Sequence, residues 1–282
     1  MTGIATTGTV LDRIIARTVA DVDARRAALP VEELEARASR RAEPIDFASS
    51  LARPGVGVIA EVKRGSPSRG VFPTTVVAGE VAAAYVAGGA RAISVLTDEP
   101  FFHGSLSDLR DVAAVAHAAT TPVPVLRKDF IVDPYQVVEA RANGADALLL
   151  IVAALDDATL RSLLTETRRL GMEALVEVHD GGEMARAAAA GACVVGINNR
   201  DLRDFNVDLA TTERLAPLAP AGSVVVGESG IFGRDDVVRL QRAGVSAVLV
   251  GEGVILRDDR AAAVRDLTIV DDGTAGDRGP SA

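Results

Sequence analysis

IAEVKRGSPSRG, residues 59–70, carries a short apolar run through two charged residues, Glu61 and Lys63, into a Gly/Ser/Pro turn. Side chains alternate along a strand, so residues two apart project to the same side. Glu61 and Lys63 are therefore expected to point together into one space at a strand end. A buried ion pair is the plain explanation, although desolvation makes such pairs weak contributors to stability. Arg64 falls on the opposite side and reads as structural, and Ser66, Pro67 and Ser68 read as part of a pocket wall.

The lysine count argues for more than an ion pair. Of 30 Lys and Arg residues only two, Lys63 and Lys128, are lysine. Arginine is permanently charged and planar, whereas lysine is a compact cation that can give up its proton. Chance survival of two lysines is the alternative, and their positions in the chain weigh against it.

Composition limits the fold and the function. The chain has 282 residues, near the length of one α/β barrel of ~250 residues. It is 48% hydrophobic but only 3% aromatic with no Trp, so the core is aliphatic, which suits parallel strands buried on both faces. A net charge of −9 argues against nucleic acid as a partner. A single cysteine, Cys193, excludes an internal disulfide framework and fits a reducing cytoplasm. No apolar run has the length of a membrane span, and the N-terminus lacks a signal-peptide core.

Outward from residues 59–70 the chain settles into a rhythm. VGVIAEV, RAISVLT, PVPVLRKD, ADALLLIV, EALVEV, CVVGIN, SVVVGES and SAVLVGE alternate with helical patterns, several of which close on Gly. This alternation predicts a (β/α)8 TIM barrel, class α/β, over residues 51–267. The rival doubly wound sheet usually carries a G-x-G-x-x-G turn after its first strand, and none is present. Residues 1–50 hold two helical patterns and no strand. They predict an N-terminal helical extension, begun by Thr7 or Thr9 and broken by Pro30. Residues 268–282 are Gly- and Asp-rich and predict a disordered tail.

In such barrels active sites lie at the C-terminal ends of the strands. There the sequence puts Glu61 and Lys63 after strand one, Lys128 after strand three and Glu177 after strand five. Asn198, Asn199 and Arg200 follow strand six, Glu228, Ser229 and Gly230 strand seven, and Gly251, Glu252 and Gly253 strand eight. The Gly-rich turns after strands seven and eight precede helices and suit a phosphate. His179 reads as a satisfied loop histidine near the rim, and His103 and His117 as loop and helix-surface residues. Cys193, at the start of strand six, reads as core, and Asp129 faces away from Lys128. Three scattered histidines and one cysteine give no metal-ligand spacing. Two lysines with several carboxylates favour proton transfer on an anionic phosphorylated substrate. A lysine–carbonyl Schiff base remains open on this reading.

IAEVKRGSPSRG, ISVLTDEPFFHGSL, VLRKDFIVDPYQV, LVEVH, GINNRDL and VGESGI, in this order, resemble the indole-3-glycerol phosphate synthase family of tryptophan biosynthesis. The resemblance runs from about Leu11 to Asp259 and includes the helical extension. It implies a lyase that closes the ring of 1-(2-carboxyphenylamino)-1-deoxyribulose 5-phosphate with loss of CO₂ and water, using no metal or cofactor. The catalytic set it implies is Glu61, Lys63, Lys128, Glu177, Asn198 and Ser229. Substrate would be held by Ser66, Arg200 and Glu228, and phosphate by Gly230, Gly251, Glu252 and Gly253 beside Ser229. Lys128 would be the general acid and Glu177 the base in the loss of water, with Lys63 near the phosphate and the leaving hydroxyl. The N-terminal helices would cover the pocket. Partners would be limited to the phosphorylated small molecule, with no nucleic acid and no membrane, in a cytoplasmic monomer or weak homodimer. Departures are few: Gly253 stands where many relatives have serine, and Gly65 and Arg69 where Ala and Lys are expected. A phosphoribosylanthranilate isomerase would want a Cys–Asp pair at strand ends, for which Cys193 is misplaced. A silent phosphate-binding barrel would not need Lys63, Lys128 and Glu177 together.

Overall fold

The eight apolar runs become strands because Val, Ile and Leu suit a pleated surface buried on both sides. A computed structural model describes residues 3–66, 69–201, 203 and 205–270. The strands are β1 (Gly57–Val62), β2 (Ala92–Leu96), β3 (Val125–Lys128), β4 (Ala147–Ile151), β5 (Glu173–Val178), β6 (Val194–Asn198), β7 (Val224–Glu228) and β8 (Ala247–Val250). All pair in parallel, each with its neighbours in sequence, and β1 closes on β8 through Gly57–Ala247 to Ala60–Val250. The predicted barrel is therefore present, with every predicted strand in place. A two-residue antiparallel pairing, Gly65–Ser66 with Gly70–Val71, tightens the loop after β1. Pro67 and Ser68 of the predicted pocket wall lie outside the described residues.

Three helices precede β1: α1 (Val10–Ala28), α2 (Val31–Ala38) and α3 (Phe47–Leu51). Thr9 caps α1, its hydroxyl accepting from the Leu11 N–H. Leu11, Ile14, Ile15, Thr18 and Val22 form the buried stripe of α1. The third helix, which the sequence reading missed, begins at Asp46, whose carboxylate caps Ser49. Arg25 of α1 reaches Glu139 at 2.9 Å, and Glu139 meets Arg127 at 2.9 Å. The extension is thus tied to the residue beside Lys128.

Two expectations need correction. Cys193 is exposed, not core, because it precedes β6 at the N-terminal end of the barrel, where its sulfur meets Gly191 and Arg168. Thr268–Val270, assigned to the disordered tail, are in place: Ile269 is buried and exchanges backbone hydrogen bonds with Val56. A short apolar residue in a polar tail leaves no periodicity to read. Residues 271–282, the rest of that tail, lie outside the described residues. Among the described residues no helix is long and apolar enough to cross a membrane.

Candidate active site

The C-terminal mouth of the barrel holds a cavity of about 200 Å³. Glu61, Lys63, Ser66, Lys128, Glu177, Asn198, Arg200, Glu228, Ser229, Gly230, Gly251, Glu252 and Gly253 all line it. Topology explains the convergence, since each residue ends a strand or opens the loop after it. Leu96, Leu149, Ile151 and Leu249 add apolar barrel wall, and Phe102, Phe130, Phe205 and Phe232 add aromatic lining. Val10, Leu11 and Ile14 of α1 also line it, so the extension forms part of the enclosure.

At its centre, Lys128 donates to Glu228 at 2.7 Å and lies 3.5 Å from Glu177. Glu177 and Glu228 are 3% and 1% exposed, so both carboxylates have lost most of their water. Burial pulls the Lys128 ammonium down, but Glu228, Glu177 and Glu61 outweigh it and hold the group above the ordinary lysine range. Burial pushes Glu177 up, yet Lys128, His179 and Asn198 together hold it well below the usual carboxylate range. Glu228 goes the other way, pushed up to about 7 by burial and by repulsion from Glu177 and Glu61, which Lys128 offsets only in part. One ammonium serves two carboxylates, and the one held above its ordinary range, Glu228, is the one whose Oε1 is buried without a hydrogen-bond partner.

Lys63 stands 3.6 Å from Glu61 and 5.8 Å from the Phe102 ring centroid, an ammonium over an aromatic face. Arg64 turns away to Asp108 and the Val76 carbonyl, as strand alternation predicts. Asp129 also reaches the cavity wall, but its carboxylate accepts from Thr97 and Arg127 and not from Lys128.

Two glycines admit this cluster. A Cβ on Gly196 would lie 2.0 Å from Glu228 Oε1, and one on Gly251 would lie 2.5 Å from Glu61 Oε1. Small residues on β6 and after β8 thus leave room for carboxylates arriving from other strands. Asn199, whose neighbour Asn198 faces the cavity, is buried and brackets the β7 end. Its amide donates to the Glu228 and Ser229 carbonyls and its oxygen accepts from Thr212. Ser229 is held in the left-handed region at φ 64, which costs roughly 1 kcal/mol or more in a non-glycine residue.

The turns expected to cradle phosphate differ from one another. The helix after β7, Arg234–Arg242, is closed by its own Asp236, whose carboxylate accepts from Phe232 and Gly233 N–H. That helix start is therefore occupied, and Gly230 reaches the cavity from the turn before it. The helix after β8, Glu252–Ile255, begins at the cavity wall itself. The Glu252 carboxylate is engaged by Arg69 at 2.7 Å, which leaves its backbone as the part suited to an anion.

Sequence reasoning missed two relationships: Glu228, assigned to substrate binding, is the closest partner of Lys128, and His179 is enclosed between Glu177 and Glu183. The first leaves no local signal, because it depends on strand ends brought together by barrel closure; the second was within reach of local reading, since Glu177, His179 and Glu183 lie in one short stretch.

These features define an enzyme of the (β/α)8-barrel class with a lysine–carboxylate centre at the C-terminal mouth. The sequence matches the model of the indole-3-glycerol phosphate synthase family over residues 11–267. Proteins named indole-3-glycerol phosphate synthase from Mycolicibacterium smegmatis and Mycobacterium avium are each 51% identical over 259 residues, covering 92% of this chain and 93% of theirs. The chain belongs to the indole-3-glycerol phosphate synthase family. Among solved structures, thiamine phosphate pyrophosphorylase from Pyrococcus furiosus aligns with a TM-score of 0.58 at 16% identity, over 75% of this chain and 93% of that one. A 3-hexulose-6-phosphate synthase from Salmonella typhimurium aligns at 0.58 and 14%, over 75% and 96%. At such identities the likeness is one of fold.

Proposed function

We propose that this chain converts 1-(2-carboxyphenylamino)-1-deoxy-D-ribulose 5-phosphate to indole-3-glycerol phosphate by Lys/Glu general acid–base catalysis. The observation that carries the reading is the Lys128 ammonium, fixed between Glu228 and Glu177 in a cavity with apolar walls. Its surroundings keep it protonated, which favours a proton donor over an imine-forming amine, since imine formation needs the neutral amine.

In this reading the ring carbon bearing the carboxylate attacks the ribulose carbonyl while Lys128 protonates the carbonyl oxygen. A buried cation at a developing alkoxide contributes on the order of 3 kcal/mol of barrier lowering. CO₂ then leaves with the ring carbon keeping the bonding pair, which restores aromaticity. Loss of the new hydroxyl as water, with removal of a proton by Glu177, completes the indole. Lys63 stands near the phosphate and the leaving hydroxyl, and Glu61 and Asn198 orient the hydroxyls and Lys128. Ser66 and Arg200 take the anthranilate carboxylate, with Glu228 at the substrate beside Lys128. Ser229, Gly230 and the Gly251–Gly253 backbone hold the phosphate. Apolar walls suit the anthranilate ring, and α1 excludes water from the cationic intermediates.

Residues 1–50 serve as the cover and 51–267 as the catalytic barrel. The reading extends to a cytoplasmic protein, monomeric or weakly dimeric, whose one partner class is the phosphorylated substrate. Mixing the purified protein with the carboxyphenylamino-ribulose phosphate is expected to produce indole fluorescence in proportion to enzyme. Absence of product, together with borohydride trapping of a lysine adduct, would replace this reading with the Schiff-base mechanism.

A further inference from the structure

His179 is half-buried beside the catalytic cavity without lining it; it faces the neighbouring groove, as do Glu183 and Asp201. Its Nε2 is 3.4 Å from Glu177 Oε1, and its Nδ1 is 3.0 Å from Glu183 Oε2. Local sequence produces this arrangement. Glu177 and His179 are two apart at the end of β5 and share a side. Asp180 then caps the helix Gly181–Ala190, accepting from the Glu183 N–H at 2.8 Å. Glu183, in the first turn, reaches back to the His179 N–H at 2.8 Å as well as to its ring. A carboxylate is favoured at that helix end, so Glu183 is a fixed partner.

Both ring nitrogens face carboxylates: Nδ1 is within hydrogen-bond reach of Glu183, whereas Nε2, 3.4 Å from Glu177, makes no hydrogen bond and meets that carboxylate as a neighbouring charge. Burial pulls the His179 imidazolium down, but Glu177 and Glu183 outweigh it and raise the group to about 10. The groups facing Glu177 are Lys128 from β3, Glu228 from β7, Asn198 from β6 and His179 from β5. Asp201, in the loop after β6, also senses the imidazolium. Glu177 and Glu228 flank the same ammonium, and Glu177 differs in having His179 and Asn198 beside it as well.

We infer that His179 is a positioning residue for Glu177: clamped by Glu183, its imidazolium fixes the negative charge on Glu177 rather than on Glu228 and so selects which carboxylate acts as base. This rests on the role proposed above for Glu177.

The test compares His179→Gln, Glu183→Gln and Glu177→Gln with wild type in kcat and KM from about pH 5 to about pH 9, with circular dichroism to confirm folding. Neutral glutamine at 179 is expected to lower kcat at neutral pH by about tenfold to a hundredfold with KM within about threefold. It should also move the acidic limb of kcat to higher pH, since Glu177 then loses a cation that keeps it ionised. Glu183→Gln should shift the limb the same way by less, and it carries the test alone should His179→Gln not fold. Glu177→Gln inactive, with the other two variants within about twofold of wild type and an unmoved limb, overturns the inference and leaves the reading of the site standing. Glu177→Gln within about tenfold of wild type overturns both.

Discussion

Lys128 makes its shortest hydrogen bond, 2.7 Å, to Glu228, a carboxylate 100 residues away in sequence. The pairing crosses the barrel mouth from β3 to β7 and is completed by Glu177 from β5. A cation so enclosed holds its proton tightly between the two carboxylates. Ring attack that places an oxyanion beside it gives the proton a better destination than either carboxylate already present.

Glu228 predicts a distinct stability profile. Its proton is held up to about 7 in the folded state against 4.5 as the ordinary value. The folded state therefore binds the extra proton between those limits, and stability falls as pH rises through that window. Glu228→Gln, neutral throughout, is expected to lose this decline: its urea midpoint should exceed that of wild type at about pH 8 and approach it near pH 4.5. Parallel midpoint curves for the two proteins would contradict this assignment.

Removing the ammonium separates chemistry from structure. Lys128→Met keeps most of the side-chain volume while leaving Glu177 and Glu228 without their shared cation. Turnover is expected to fall by about a thousandfold or more, as befits loss of a general acid and an oxyanion partner together. The fold should survive at acidic pH, where Glu228 takes up a proton, and weaken above neutrality. Indole fluorescence and thermal melts at two pH values check both statements, and turnover within tenfold of wild type would remove Lys128 as the acid.

Glycine positions offer a steric prediction. At Gly196 a methyl group would lie 2.0 Å from Glu228 Oε1 and 3.2 Å from Leu175. Gly196→Ala must therefore displace Glu228 from Lys128, at a cost of about 1–3 kcal/mol with loss of activity. Gly79, in the helix Ala78–Ala87, is the control, because there the nearest atom to a Cβ is 3.7 Å away. Gly79→Ala should be neutral or stabilising by about 0.5–1 kcal/mol with full activity. Equal effects of the two variants on melting and turnover would contradict the crowding argument.

Much of this architecture was legible in the chain, for a physical reason. Strands buried on both faces read as continuous apolar runs, and strand-end charges stand out against them, so β1–β8, Lys63, Lys128 and Glu177 could be found from spacing alone. What resisted reading depends on closure and on helix capping. Whether Lys128 meets Glu177 or Glu228 more closely is set by where the strand ends meet across the mouth, and no local pattern encodes that. His179 is enclosed because Glu183 folds back over it from the next helix. The start of the helix after β7 is taken by Asp236, a capping detail three residues along. Cys193 and Ile269 were misread because burial at the edges of elements turns on a single residue of register.

The cover over the cavity gives the last prediction. Ile14 of α1 is 4% exposed and lines the cavity together with Val10 and Leu11. Trimming it leaves the catalytic groups untouched and opens the enclosure on one side. Ile14→Ala is expected to cost about 2 kcal/mol, the low end for a large-to-small change because the vacated space adjoins the cavity. Substrate contacts made equally in ground and transition states would be lost, so KM should rise several-fold. Water admitted to the site would lower kcat as well, by less than the change at Lys128. Steady-state fluorescence assays and a thermal melt of the variant measure all three effects. An unchanged KM with an unchanged kcat in a variant that melts lower would make α1 a structural brace and not a cover.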